Sequence, residues 1–225
     1  MWLDKYVGWL WRLSKKRSRH GLYEFLASQF SQITRNSIVL TIGSGGEIND
    51  LLDRYAQLAS FRVTSLDIDP KRLPDVVGDA CSCPFVENAF DAVVISEVLE
   101  HVHSPSDALA SIHRILRTDG LIILTVPFIL PMHDRPCDYF RFTEHGLKML
   151  LARFRDVKVT PRNTYFEAID VLWVRLLQTE LRSAKLLSLV VVPLIFFIAR
   201  PITVVLGKLV ATDAMTTGYA VSAKK

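Results

Sequence analysis

Between residue 37 and about residue 127 the chain alternates short, continuously apolar runs with stretches whose apolar residues recur every three or four positions. "SIVLTI", "FRVTSLD", "PDVV", "FDAVVIS" and "GLIILTVP" have the length and β-branched content of strands, while "INDLLDRYAQLA" and "SPSDALASIHRILR" carry the helical period. The second helix has a well-specified start: Ser104 suits the N-cap, Pro105 the first helical position, and Asp107 the first turn. Strands that are apolar throughout and separated by helices predict an α/β fold with a doubly wound, largely parallel sheet. Beyond Pro127, "FILPMHDRPCDYFRF" reads as a loop, Thr143 as the cap of "EHGLKMLLARF", and "DVKVTP" and "MTTGYAVSAKK" as closing strands, the last one antiparallel.

Two stretches depart from this rhythm. At the N-terminus a helical reading places Trp2, Tyr6, Trp9, Leu10 and Leu13 on one side and Lys5, Arg12, Lys16 and Arg19 on the other, the pattern of an interfacial helix or of a lid packed on the domain. Between the closing strands lies "LLSLVVVPLIFFIARPITVVLGKLV". Its apolar run of about fourteen residues before Arg200 falls short of the roughly twenty that span a bilayer as a helix. A chain returning to the same sheet must also come back on the side it left, so a shallow hairpin turned near Pro193 or Pro201 is expected. The competing reading of this stretch is a homodimer interface or a cover over an acceptor pocket. Four segments result: amphipathic basic helices over 1–36, an α/β core over 37–166, an apolar helical insertion over 167–211, and a last core strand over 212–225.

Composition locates these features. The 225 residues are 50% hydrophobic with a mean hydropathy of +0.24, an apolar excess that the insertion accounts for. Net charge is +4, and Arg12, Lys15, Lys16, Arg17 and Arg19 crowd together in a cluster suited to anionic lipid phosphates. No aromatic-interleaved basic groove accompanies it, which argues against nucleic acid as a partner. Cys81, Cys83 and Cys137 form neither an even set nor a CxxC pair, so no disulfide framework or zinc site is expected and the chain reads as cytosolic, attached peripherally or monotopically to the inner membrane face.

"TIGSGGEIND" places glycines between the first strand and first helix, where a ligand can approach the helix N-terminus without meeting a Cβ. Ile48 stands where a dinucleotide motif would have its third glycine, which weakens a pyrophosphate reading. Asp67 ends the second strand, in position to accept both hydroxyls of a ribose; as a bare turn residue before Pro70 it would need no ligand.

In order, "VLTIGSGGE", "SLDID", "DVVGDACSCPFVENAFDAVVISEVLEHVHSP" and "ALASIHRILRTDGLIILTVP" resemble the class I S-adenosylmethionine-dependent methyltransferases of the type 11 family over about residues 37–155. The resemblance implies a Rossmann-like sheet with S-adenosylmethionine as cofactor. Gly43 and Gly45 would pass under its methionine part, Asp67 would hold the ribose, Asp79 and Ala80 would read the adenine, and Ser96 and Glu97 would line the methionine side. Thr41 and Glu47 depart from the family pattern, which has an acid and a small residue there, and they keep open an inactive scaffold in a membrane assembly.

Glu97, Glu100, His101 and His103 have the residue types of metal ligands, but their side chains are expected to diverge at a strand-to-helix turn. No metal is therefore expected, and His101 reads as a hydrogen-bonded structural histidine. His133 is the candidate general base, with Asp138, Tyr139 and Arg141 as acceptor-binding residues. This loop resembles those of methyltransferase-like proteins of surface polysaccharide synthesis, so the expected reaction is O-methylation of a small or lipid-linked acceptor, for instance a sugar.

Overall fold

The structure, a computed structural model, describes residues 2–176, 182–210, 212 and 214–225; the parts of the apolar insertion at 177–181 and 211 and the side chains of Trp2 and Arg17 lie outside the described residues. The described chain divides into two compact units, one of residues 1–22, 129–131 and 161–218, the other of residues 23–128, 132–160 and 219–225.

The larger unit is built on strands β1 (Ile38–Ile42), β2 (Arg62–Asp67), β3 (Val76–Val77), β4 (Phe90–Ser96) and β5 (Leu116–Pro127), with helix α2 (His20–Phe30) preceding them in the chain and helices α3 (Glu47–Ala59), α4 (Pro105–Ile115) and α5 (Glu144–Leu150) between or after them. With β6 (Arg155–Pro161) and β7 (Gly218–Lys224) they form a sheet of order β3-β2-β1-β4-β5-β7-β6. β1 pairs in parallel with both β2 and β4, which puts the topological switch point at its C-terminal end, where open α/β sheets bind ligands. β7 closes the sheet antiparallel to β5: Lys225 N–H donates to Gly120 O at one end, and Ile129 N–H to Thr216 O at the other. The central strands are buried on both faces, with Leu40, Val93, Ile95, Ile122 and Leu124 fully covered and Leu109, Ile112 and Ile115 of α4 packed into the same core. Strand β5 starts earlier than its glycine suggests: Leu116 pairs with Phe90, and the ladder resumes only at Leu121 opposite Ala92.

The smaller unit holds α1 (Trp2–Ser18), α6 (Tyr165–Arg175), α7 (Arg182–Leu194) and α8 (Arg200–Leu209), with a π-helical turn Ile195–Ala199 joining the last two. Leu10, Val174 and Val192 form its buried centre, so α1 folds with the insertion, from which the sequence separates it. Thr164 and Glu167 make a capping box at the start of α6, and the buried carboxylate of Asp170 accepts from the Thr203 hydroxyl at 2.6 Å.

The expected hairpin turn at Pro193 or Pro201 is not formed; the helical run passes through both prolines. A proline inside a helix leaves the carbonyl four residues earlier without its N–H partner. For Pro193 that carbonyl belongs to Leu189, and it accepts from the Tyr6 hydroxyl of α1 at 2.9 Å. Pro201 sits in the first turn of α8, and the π turn before it absorbs the misfit. Leu189–Leu209 is consequently a helical stretch of 21 residues with a mean hydropathy of 2.5, long and apolar enough to cross a membrane, whereas the count from sequence stopped at Arg200.

Candidate functional site

Three strands deliver their ends to one place. Ile42 closes β1 and Asp67 closes β2, while Glu97 follows β4 directly. Between them opens a cavity of about 440 Å³, lined also by Gly43, Ile68, Asp69, Arg72, Gly78, Asp79, Ala80 and Val98 and by residues of the loops that follow.

The glycine loop is held from several sides. Gly43 adopts φ +92°, a left-handed value that L side chains resist, and its N–H donates to Leu66 O at 2.8 Å. Ser44 N–H donates to Asp67 Oδ2 at 2.6 Å, and the other Asp67 oxygen accepts from Asp69 N–H at 2.9 Å. Asn49 Nδ2 donates to Gly43 O at 3.2 Å and Arg72 Nη1 to Ser44 O at 3.3 Å. This bonding orders the loop without the carboxylate that the resemblance expects at position 41; Thr41 is buried in β1 and lies off the cavity wall. Asp79 caps the short turn Ala80–Ser82 through Cys81 N–H at 2.8 Å, which leaves Ala80 buried against the cavity. Glu97 takes a left-handed φ of 56°, its N–H donates to Thr125 O at 2.9 Å, and its carboxylate accepts from the Thr125 hydroxyl at 3.2 Å.

Of the residues singled out from sequence, Gly43, Asp67, Asp79, Ala80, Glu97 and Tyr139 line the cavity. Gly45 and Ser96 do not: Gly45 stands at φ +78° farther along the loop, and the Ser96 hydroxyl is buried 2.6 Å from that of Thr125. His133, Asp138 and Arg141 are also off the wall. Asp138 receives both Arg141 guanidinium nitrogens, at 2.5 and 2.7 Å, and also His133 N–H at 2.9 Å. The guanidinium holds its carboxyl down to about 2. This pair braces the loop, which is why neither side chain reaches the cavity.

His133 turns toward Glu100 instead, with Nε2 3.7 Å from Oε1. His101 Nε2 approaches the same oxygen at 3.7 Å, and the two imidazoles meet edge to face with centroids 5.1 Å apart. The expected divergence of these side chains therefore fails for Glu100 and His101, and the Tyr139 and Phe140 N–H groups, both donating to Glu100 O, draw the distant loop with His133 over the same turn. His101 is hydrogen-bonded as expected, Nδ1 to Cys137 O at 2.8 Å, but it also lines the cavity. Burial raises the Glu100 carboxyl above its ordinary range, and Glu100 in turn raises His133. Sequence spacing alone could not pair residues 100 and 133; the signal was their shared ligand chemistry.

A methyltransferase domain family matches residues 40–124 of the chain. The demethylmenaquinone methyltransferase of Renibacterium salmoninarum is 37% identical over 67 residues, 28% of this chain and 28% of the relative. The ubiquinone/menaquinone biosynthesis C-methyltransferase UbiE of Blochmanniella pennsylvanica is 30% identical over 121 residues, 47% of this chain and 48% of the relative. The chain thus spans less than half the length of these curated relatives. Among solved structures, a SAM-dependent methyltransferase from Archaeoglobus fulgidus superposes with a TM-score of 0.59 at 18% identity, covering 93% of this chain and 94% of that one.

Proposed function

We propose that the chain binds S-adenosylmethionine at the strand ends and methylates a small or lipid-linked acceptor at a membrane surface, a reading supported by the methyltransferase domain family that matches residues 40–124 and by the fold. The observation that carries the reading is the charge of the cavity wall. Asp67, Asp69, Asp79, Glu97 and Asp134 outnumber Arg72, the only Lys or Arg lining the cavity among the described residues. That excess suits a cationic sulfonium and an amino group and opposes the pyrophosphate of a dinucleotide. Ile68, Ala80, Val98 and Val102 supply apolar surface for a flat base.

In this reading Gly43 lets the backbone pass under the methionine part, Asp67 takes the ribose hydroxyls with the lone pairs its two backbone donors leave, and Asp79 with Ala80 reads the adenine edge. Glu97 faces the methionine side. Gly45 and Ser96 act at one remove, by shaping the loop and the end of β4. The bound cofactor supplies a methyl group already activated by positive sulfur. What remains for the chain is to align the acceptor and exclude water. Tyr139 and His101 stand on that side of the cavity, with Glu100 and His133 behind them, a cluster suited to a hydroxyl acceptor whose proton must leave as the carbon–oxygen bond forms. Asp138 and Arg141 support it by fixing the loop.

The names of the curated relatives favour a second reading, methylation of a ring carbon in an isoprenoid quinone, over a sugar acceptor. A lipid-linked acceptor and a quinone share a lipophilic product. Incubation of the chain with methyl-labelled S-adenosylmethionine and a membrane lipid extract is expected to move label into the organic phase. Hydroiodic acid should then release it as methyl iodide from an O-methyl product and leave it in place in a C-methyl one. Label that stays wholly aqueous would exclude both lipophilic acceptors and leave the small, water-soluble one.

Membrane attachment is part of the same proposal. Val190, Leu194, Phe197, Ile202, Val205 and Leu209 form an exposed stripe on α7, the π turn and α8, while Val192 and Thr203 face the interior of their own unit. A helix with one packed face and one bare apolar face suits insertion into the headgroup boundary, and the exposed Arg12 and Lys16 of α1 suit anionic lipid, each worth about 1 kcal/mol near a charged surface. The chain is expected to sediment with phosphatidylglycerol vesicles. Phe197→Asp combined with Ile202→Asp should reduce binding more than about tenfold, since each large apolar side chain taken out of water contributes about 1.5–3 kcal/mol. Unchanged sedimentation of the double variant would remove the stripe from the account.

A further inference from the structure

Glu100 has both carboxylate oxygens buried and without a hydrogen-bond partner among the described residues, and its side chain is 0% exposed. An acid in that state is expensive unless something compensates it. The groups nearest to it are two imidazoles. Nε2 of His101 and Nε2 of His133 each lie 3.7 Å from Oε1, and one ligating atom from each of the three residues lies within 4.8 Å of the others.

The remaining ring nitrogens define what these Nε2 atoms carry. His101 Nδ1 is 2.8 Å from Cys137 O, a carbonyl that can only accept, so Nδ1 bears a proton and Nε2 is the ring nitrogen turned to Glu100, where it would offer its lone pair to a metal. His133 Nδ1 faces Asp138 Oδ2 at 3.7 Å, and Asp138 is fixed by Arg141. Each imidazole thus has the Glu100 carboxylate in front and an oxygen behind, hydrogen-bonded for His101 and 3.7 Å away for His133. Backing of this kind orients metal-bound histidines and raises their basicity.

We propose that Glu100, His101 and His133 bind a divalent transition-metal ion at the edge of the cavity. Two nitrogens and one carboxylate are a donor set used by zinc and by non-haem iron sites that keep positions open. Ligand atoms about 2.0–2.1 Å from a tetrahedral zinc stand about 3.3 Å apart, so each imidazole needs to close on Glu100 by only a few tenths of an ångström, while the two ring nitrogens lie within 4.8 Å of each other. His101 lines the cavity, and the exposed Asp134, with Oδ2 4.0 Å from His101 Nε2, is placed to add a fourth oxygen. A second group, Asp79, Cys81 and His103, is a weaker candidate because its atoms are engaged: Asp79 Oδ1 accepts from Cys81 N–H, and the Cys81 thiol donates to Ser104 O. The metal inference stands on this cluster alone and does not depend on the methyl-transfer reading.

The test measures metal and no methyl donor is present. The full chain is stripped with a chelator, exchanged into zinc, freed of excess by gel filtration, and assayed by elemental analysis and by competition with a chromogenic chelator. One zinc per chain is expected, with Glu100→Gln and His133→Ala each lowering affinity at least tenfold and Cys81→Ser leaving it unchanged. Thermal unfolding of each variant establishes that it is folded, and if the near-isosteric Glu100→Gln is not, His133→Ala on the loop decides alone. No zinc on the folded wild-type chain, or zinc retained by the Glu100 and His133 variants, would overturn the assignment.

Discussion

Asp67→Ala is expected to weaken S-adenosylhomocysteine binding by more than about tenfold, because a hydrogen bond to a charged group contributes about 1.5–3 kcal/mol. The structure adds a second reason. Asp67 accepts Ser44 N–H and Asp69 N–H on its two oxygens, so its loss frees the glycine loop as well as any ribose contact. The two effects can be separated. A cofactor analogue lacking the ribose hydroxyls should bind the wild-type chain more weakly, and Asp67→Ala should then cost it less than it costs the parent ligand. Equal losses for the two ligands would make Asp67 a loop anchor only. The asparagine variant is a poor control, since its amide nitrogen would face one of the two backbone N–H donors.

Gly43→Ala should damage both the fold and the cavity. At φ +92° an alanine is strained, at a cost of about 1–3 kcal/mol. Its Cβ would also stand 2.5 Å from Val98 Cγ2, on a residue that lines the cavity. Val98 must move, so a melting temperature lower by several degrees should accompany an S-adenosylhomocysteine affinity reduced at least about tenfold. Gly45→Ala is the comparison: φ is +78°, yet nothing lies within 4 Å of the added methyl, so stability should fall while affinity holds. Equal affinity loss in the two variants would mean that backbone strain, and not Val98, governs the cavity.

The sheet was legible because its strands are buried on both faces. "SIVLTI" and "FDAVVIS" have to be apolar without alternation, and the helix starts at Ser104 and Thr143 were marked by turn chemistry in the residues themselves. Asp67 followed from its position at the end of a strand, whereas Asp79 and Glu97 followed from the family resemblance. The residues contributed by the later loop did not. Tyr139 reaches the cavity while its neighbour Asp138 is held away by Arg141, a distinction made by one ion pair that spacing cannot reveal. His101 and His133 meet because the loop is tied to the turn, by two backbone N–H groups on Glu100 O and by Cys137 O on His101 Nδ1. The helix through Pro193 was hidden for the same kind of reason, since the partner of its orphaned carbonyl is Tyr6, 183 residues away in sequence.

The central claim is that the carboxylate-rich cavity at the ends of β1, β2 and β4 holds S-adenosylmethionine. Calorimetric titration of the folded chain in mild detergent with S-adenosylhomocysteine, and separately with NAD, tests it directly. Saturable micromolar binding of one S-adenosylhomocysteine per chain, with no heat from NAD, is the expected result. A folded chain that binds neither would contradict the claim and leave the exposed apolar stripe of a membrane scaffold as the functional part of the molecule.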